Sequence, residues 1–197
     1  MKIIALKMPL LALLVIAMLS CEKDDDNGPD NEQELITTIS LKFTGGGQTV
    51  TFTAEDKDGD GGAAPVIQAI TLKANTDYTL SVSFLDASKT PTEDITTEVK
   101  AESNDHLVCY VATGPMGAPQ IQDTDAGGKP LGLESKFKTG AAGAGSFKVT
   151  LKHEADKGNA NACSTGETDA EATFNVTYNK KTGHGIPCPV FILTQVI

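Results

Sequence analysis

Apolar and polar residues alternate along most of the chain from residue 34 onward, and this period of two predicts β-strands. The alternation is clearest over Tyr78–Leu85 and Ser146–His153, where every second side chain is large and apolar. Successive side chains of a strand point to opposite faces, so each strand is expected to have one face in the core and one in water. The predicted strands are Leu35–Phe43, Thr49–Ala54, Val66–Lys73, Tyr78–Leu85, His106–Ala112, Leu131–Lys138, Ser146–His153 and Ala170–Tyr178.

Clusters of Gly, Asn, Asp and Pro separate these eight segments. Short strands between such turns predict one all-β domain over residues 34–178, an immunoglobulin-like antiparallel β-sandwich of about eight strands. The segment 91–102 differs, because Ile95 and Val99 have helical spacing behind the N-cap candidates Thr92 and Asp94. We therefore expect one short helix that crosses an end of the sandwich.

The first twenty residues have the composition of a secretory signal. Lys2 and Lys7 precede an apolar run, 10–19, that is too short to span a bilayer comfortably. The run ends in Leu-Ser-Cys21, which resembles the lipobox of bacterial lipoproteins, whose cysteine receives a diacylglycerol and, after cleavage, a further acyl chain such as palmitate. The resemblance implies that Cys21 is the lipidated first residue of the mature protein, since several acyl chains together give stable anchoring. The alternative is an ordinary cleaved signal with a chance cysteine.

Residues 21–33 are polar and acidic and contain no large apolar side chain. Such a segment cannot bury enough surface to fold, so it is predicted to be a flexible tether. Its start, Cys-Glu-Lys-Asp-Asp, is similar to the export signal of Bacteroidota lipoproteins that reach the outer face of the outer membrane. We expect a lipid-anchored protein of the outer membrane that faces the cell surface, with the periplasmic face as the alternative.

Charge and composition exclude one class of partner. The chain carries a net charge of −10, and it contains neither tryptophan nor arginine. Arginine forks and aromatic stacking, the usual means of gripping phosphates and bases, are therefore missing, and the net charge repels polyanions. We expect no nucleic-acid partner, and we expect a monomer.

The sharpest local motif places Asp56, Asp58 and Asp60 at positions one, three and five of a loop, with Gly61 at position six. This is the opening half of an EF-hand-type calcium loop, because hard cations take oxygen ligands and the glycine permits the tight turn. Positions nine and twelve carry Ala and Ile, so further oxygens would have to come from backbone, water or another loop such as 123–125. Calcium that stiffens this loop is one expectation, and an acidic turn without an ion is the other.

Two histidines are weaker metal candidates. His106 and His153 lie at predicted strand ends with carboxylates nearby in the sequence. Imidazole and carboxylate together suit a transition metal, whereas a solvated strand end is the alternative interpretation.

Three cysteines remain after Cys21. Export to an oxidising compartment permits one disulfide among them. Cys109 lies in an apolar run and is expected to be a buried packing residue. Cys163 and Cys188 lie in polar or Pro/Gly contexts, so a bridge between these two is favoured.

No catalytic motif occurs in the sequence. Gly-x-Ser-x-Gly fails at its last position after Ser146, and His-Glu-x-x-His fails after His153. The carboxylates fall in turns and in the tether, where solvation explains them. We expect the protein not to be an enzyme.

Several stretches carry a resemblance to a known group of proteins. They are Asn31–Thr38, Asp56–Gly62, Pro65–Ile67, Ile95–Val99 with the run to His106, Val149–Glu154, Thr165–Asp169 and Thr173–Val176. Together they look like small flavobacterial lipoproteins that are labelled as type 1 periplasmic binding fold proteins, over about residues 31–178. The strands do not alternate with helices, so the fold expectation comes from the strand pattern and not from that label. Residues 179–197, a tail or an added edge strand, depart from the group.

These observations predict a lipid-anchored binding module of the cell envelope that captures a ligand or docks on an outer-membrane transporter. One alternative is a structural or adhesive surface lipoprotein, stiffened by calcium. Another is a metal-scavenging lipoprotein that uses His106 and His153.

Overall fold

The computed structural model describes residues 35–58 and 62–180. Cys21, the signal 1–20, the tether and residues 181–197 of the predicted tail lie outside the described residues, so the expectations for them stay predictions. In the described part no helix is long and apolar enough to cross a membrane. The elements are β1 Thr38–Gly45, β2 Gln48–Glu55, β3 Val66–Ile67, β4 Ile70–Lys73, β5 Asp77–Asp86, β6 Glu93–Asp94, α1 Thr96–Ala101, β7 His106–Ala112, β8 Gln120–Ile121, β9 Glu134–Lys138, β10 Gly143–His153, a 3₁₀ turn Ala162–Ser164 and β11 Glu167–Asn179.

The strands form two sheets, which confirms the predicted all-β sandwich. Sheet 1 has the order β3-β2-β1-β5-β9-β8, with β6 also paired to β5, and sheet 2 has the order β4-β11-β10-β7. The pairing of β4 with β11 is parallel, so the purely antiparallel arrangement predicted from the sequence is wrong at this edge. A strand that arrives from the other sheet is not joined to its neighbour by a hairpin, and its direction is therefore not forced to be antiparallel.

The chain changes sheets inside the segment 66–73, which the sequence predicts as one strand. Gln68 anchors the break to β2, because its N–H donates to the Thr53 carbonyl and its side-chain oxygen accepts the Thr53 N–H, each at 2.9 Å. Ile70 then pairs with Val176 of β11. One predicted strand therefore supplies edge strands to both sheets.

The core lies between the sheets and is rich in phenylalanine. Phe43, Phe84, Phe147 and Phe174 have no exposed surface, and Phe43 meets Phe137 edge-to-face with ring centroids 5.7 Å apart. Each fully buried ring of this size contributes about 1.5–3 kcal/mol through removal from water. This core fixes the register of both sheets.

The helix is shorter than predicted and has a different start. Ile95 occupies the N-cap position without a side-chain cap bond, so the prediction of Thr92 or Asp94 as N-cap is wrong. The Asp94 carboxylate instead accepts the N–H of Thr96 at 3.0 Å. The Thr96 hydroxyl bonds both backbone groups of Phe84, and this buried contact fixes the helix on β5.

Candidate metal centre

The two candidate histidines lie side by side at one end of sheet 2. His106 begins β7 and His153 ends β10, and the antiparallel register sets them directly opposite each other. Their rings stack with centroids 4.8 Å apart and planes at 23°. The side chain of His106 is 3% exposed and that of His153 is 18% exposed. The fold thus brings together two imidazoles that are distant in sequence.

A β-bulge adds a carboxylate to this pair. Leu151 of β10 pairs with Ala170 of β11, but Lys152 pairs with Thr168, so Asp169 is an extra residue between the two rungs. A bulge locally shifts the alternation of its strand and re-aims a side chain. Asp169 consequently lies beside the histidines, with its side chain only 9% exposed.

The distances suit one shared ion. Asp169 Oδ2 lies 3.6 Å from His106 Nε2, and Asp169 Oδ1 lies 3.9 Å from His153 Nδ1. One donor atom from each of the three residues falls within 4.8 Å of the others. Ligands at 2.0–2.1 Å from a tetrahedral ion are about 3.4 Å apart, so the three donor atoms lie somewhat farther apart than ligands of one ion, and side-chain rotation would have to close this difference.

A backbone carbonyl orients the first ligand. His106 Nδ1 lies 3.2 Å from the carbonyl oxygen of Glu102, which can only accept, so Nδ1 carries the proton of this bond. In the neutral ring Nε2 then presents a lone pair, and this lone pair faces the Asp169 carboxylate. A carbonyl behind a histidine is the usual outer-shell support of a metal ligand.

The carboxylate is poorly solvated. Burial raises the pKa of the Asp169 carboxyl above its ordinary value, although the two neighbouring histidines act in the opposite direction. A buried anion of this kind is stabilised by a cation at bonding distance. The site therefore favours a positively charged ligand in contact with Asp169.

A disulfide holds the connection that leads to the bulge. Cys109 of β7 is bonded to Cys163 in the 3₁₀ turn, with Cα atoms 5.8 Å apart. The predicted Cys163–Cys188 bridge is therefore wrong, and Cys188 lies outside the described residues. Cys109 is buried, as predicted, but it is bonded. The cause is strand alternation: Val108 points into the main core, whereas Leu107 and Cys109 form a separate cluster with Ala155 on the other face.

Two lysines fix the same β10–β11 connection. Lys157 Nζ lies 2.9 Å from Asp125 Oδ2 and donates to the Ser103 carbonyl at 2.6 Å, with both charged side chains almost fully buried. Lys152 Nζ donates to the Gly166 carbonyl at 2.9 Å and to the Thr168 hydroxyl at 3.0 Å. These bonds tie down the chain immediately before Asp169.

The predicted calcium loop is only partly described, because Asp60 falls in the gap 59–61. Asp58 Oδ2 accepts the N–H of Ala63 at 2.7 Å, which is a local turn contact. Asp123 accepts the N–H groups of Gly132 and Leu133, and Asp125 pairs with Lys157. The carboxylates of the 123–125 loop therefore already bond neighbouring groups of the protein. Calcium binding at Asp56, Asp58 and Asp60 stays a prediction.

Sequence reasoning proposed the two histidines and missed Asp169. The residue sits in the polar run Glu167-Thr168-Asp169 at a strand start, where solvation is the default interpretation. The feature that marks Asp169 as a site residue is its displacement from the strand alternation. This displacement is apparent only once the register with β10 is known. Comparison of the chain with protein families, curated proteins and solved structures found no match.

Proposed function

We propose that this protein is a lipid-anchored cell-envelope protein that binds a divalent transition-metal ion through His106, His153 and Asp169. The observation that carries the proposal is the largely buried carboxylate of Asp169 at 3.6 and 3.9 Å from ring nitrogens of two imidazoles, one of which has its proton fixed on the far nitrogen by the Glu102 carbonyl. Of the functions considered from the sequence, the metal-binding lipoprotein is the one that this geometry favours.

The donor set selects the class of ion. Two imidazoles and one carboxylate suit Zn²⁺, Cu²⁺, Ni²⁺ or Co²⁺, whereas Ca²⁺ and Mg²⁺ take oxygen ligands almost exclusively. Three protein ligands leave one tetrahedral position for water or for an exchanging ligand. Such an open position favours capture and release of the ion over a purely structural role.

The predicted location suggests a biological role for metal binding. The lipobox-like Cys21 and the acidic tether support anchoring at the outer membrane. A lipoprotein that holds a metal ion there fits the accessory role predicted from the sequence, in which the captured ligand passes to an outer-membrane transporter. The proposal includes no catalytic step.

The test is titration of the full-length lipoprotein, purified in detergent, with Co²⁺ and Zn²⁺. Tetrahedral Co²⁺ gives strong visible absorption, so the spectrum reports the geometry as well as the stoichiometry. We expect one ion per chain, and loss of the band in His153→Ala and in Asp169→Asn. His184→Ala, which removes a histidine at a position outside the described residues, is the matched control and should behave as wild type. Retention of the same Co²⁺ spectrum in both site variants would overturn the proposal.

A further inference from the structure

A groove runs between the two sheets on the side of β11 that faces away from β10. Its volume is about 450 Å³, and it is lined by Thr168–Ala172 of β11, by Asp56, and by apolar residues that include Leu35, Ile39 and Ile67. We call it the β11 groove. Its size is that of a site for a ligand or a short peptide segment.

The groove follows the edge of the strand. Five consecutive residues of β11 line it, although successive side chains point to opposite faces, so the groove contacts the strand along its backbone edge. β4 pairs with β11 only over Val176–Asn179. Within the described residues, Glu167–Asn175 therefore has no strand partner on this side. Such an edge presents N–H and C=O groups that can pair with another chain.

The rim of the groove is apolar. Leu35 is 51% exposed and Ile67 is 40% exposed, and Val66, beside Ile67 in the edge strand β3, is 70% exposed. Besides these three, Val111 is the one other large hydrophobic residue with comparable exposure in the described part. Concentration of exposed apolar side chains at one place marks an interaction surface.

One carboxylate in the groove has an unsatisfied oxygen. Asp56 Oδ1 is buried from solvent and has no hydrogen-bond partner among the described residues. The other two carboxylates at the groove are engaged, since Glu171 pairs with Lys148 at 2.8 Å and Asp169 faces the histidines. A buried carboxylate oxygen without a donor is costly, so Asp56 favours a ligand that brings a cationic donor.

We propose that the β11 groove binds an extended polypeptide segment of a partner protein, which adds as a strand to the free edge of β11 and directs a lysine or arginine side chain to Asp56. Main-chain hydrogen bonds would supply affinity, and the apolar rim and Asp56 would supply specificity, as in other cases of strand addition. This groove shares Asp169 with the proposed metal site, but its argument does not rest on metal binding, and its test is run in EDTA so that the two proposals are tested independently.

The first experiment is selection from a random dodecapeptide library on the immobilised full-length lipoprotein. We expect enriched sequences that contain Lys or Arg among β-branched residues. The enriched peptide is then synthesised with a fluorescent label, and its affinity is measured by anisotropy. Asp56→Asn should weaken binding about tenfold or more, because a charge-assisted hydrogen bond is lost. Asp77→Asn removes the same charge from an exposed position at the start of β5, at the opposite end of that strand from the groove, and should leave affinity unchanged.

The second experiment tests the strand geometry on the peptide, so it does not depend on the folding of a variant. N-methylation at alternate peptide residues removes the N–H groups of one edge. N-methylation at one set of alternate positions should abolish binding, whereas N-methylation at the other set should be tolerated. On binding, those amides of Thr168–Ala172 that point away from β10 should also exchange more slowly with deuterium.

The proposal would be overturned by a library without enrichment, by peptide affinity that is insensitive to Asp56→Asn, or by tolerance of N-methylation at every position. Competition by N-acetyl-lysine amide at the same concentration as the peptide would also overturn it, because the site would then take a small amine and not a strand.

Discussion

His106 stacks on His153 from the directly opposite position of the neighbouring strand, with ring centroids 4.8 Å apart. Two residues further along the same row, Val108 opposes Leu151 in the main core. The histidine pair therefore continues the core-facing row of sheet 2 to the end of the sheet, where apolar side chains give way to polar ones. A core row that ends in two imidazoles and a buried carboxylate places metal ligands on rigid strands instead of on a loop.

Zinc should stabilise the folded protein if the ion binds the native state. At a free Zn²⁺ concentration of 100 times Kd, mass action adds about 2.7 kcal/mol to the free energy of unfolding. We expect a rise in melting temperature, followed by differential scanning fluorimetry, that EDTA reverses. Asp169→Asn should show no rise. An equal rise in this variant would place the bound zinc elsewhere.

The buried ion pair of Asp125 and Lys157 predicts a pH dependence of stability. The hydrogen bond from Lys157 holds the pKa of the Asp125 carboxyl below its ordinary value. Its stabilising contribution is therefore present above the unfolded pKa of about 3.9, and is lost as the pH falls through the lower folded value.

Chemical denaturation of wild type and Asp125→Asn from pH 7 to pH 2, in EDTA, checks this sign. Wild type should be the more stable at pH 7, and the difference should shrink below about pH 4, where the unfolded state takes up a proton before the native carboxylate does. A difference that stays constant across the whole range would contradict the ion-pair argument.

The disulfide predicts a large stability effect and a smaller effect on metal binding. Cys109 and Cys163 are 54 residues apart, and closure of a loop of that length contributes about 4 kcal/mol in the chain-entropy model. We expect Cys109→Ala/Cys163→Ala to lower the free energy of unfolding by about 2–4 kcal/mol. Affinity for Co²⁺ should also fall, because the connection before Asp169 loses an anchor. Cys188→Ala is the control and should leave the free energy of unfolding unchanged, since the native bridge does not use it.

The strand content follows directly from side-chain alternation. His106–Ala112 has the bounds predicted from the sequence, and Tyr78–Leu85 differs by one residue at each end. The segment 66–73 shows the limit of this reasoning. Residues 68–69, Gln-Ala, contain no Gly or Pro that would indicate a break, whereas the change of sheet depends on contacts of Gln68 with β2 that are not local in sequence.

The site was predictable only in part, for a similar reason. His106 and His153 are visible as histidines at strand ends, but their contact requires the β7–β10 register. Asp169 reaches the histidines because of a β-bulge, and no residue type in Thr168-Asp169-Ala170 predicts a bulge there. The partner of Cys163 depended on which face of β7 the β10–β11 connection covers. Alternation predicts that Cys109 and Val108 point to opposite faces, but not which of those faces a loop will shield.

Gly166 is the residue on which the geometry before Asp169 depends most closely. Its φ is +66°, and a Cβ at this position would lie 2.2 Å from the carbonyl oxygen of His153. In Gly166→Ala, an alanine in the left-handed region costs about 1–2 kcal/mol. In addition, the new Cβ would displace the end of β10 that carries His153. Gly47→Ala provides the matched control, because Gly47 has a φ of +76° and nothing within 4 Å of the added atom.

We expect both glycine variants to lose stability in chemical denaturation, and Gly166→Ala to lose more. Gly166→Ala alone should weaken Co²⁺ binding, because the carbonyl that must move belongs to His153 and the strand that must move leads to Asp169. Gly47→Ala should bind Co²⁺ as wild type does, since its turn joins β1 to β2 in the other sheet. Wild-type Co²⁺ affinity in a folded Gly166→Ala protein would show that the β10–β11 connection does not position the ligands.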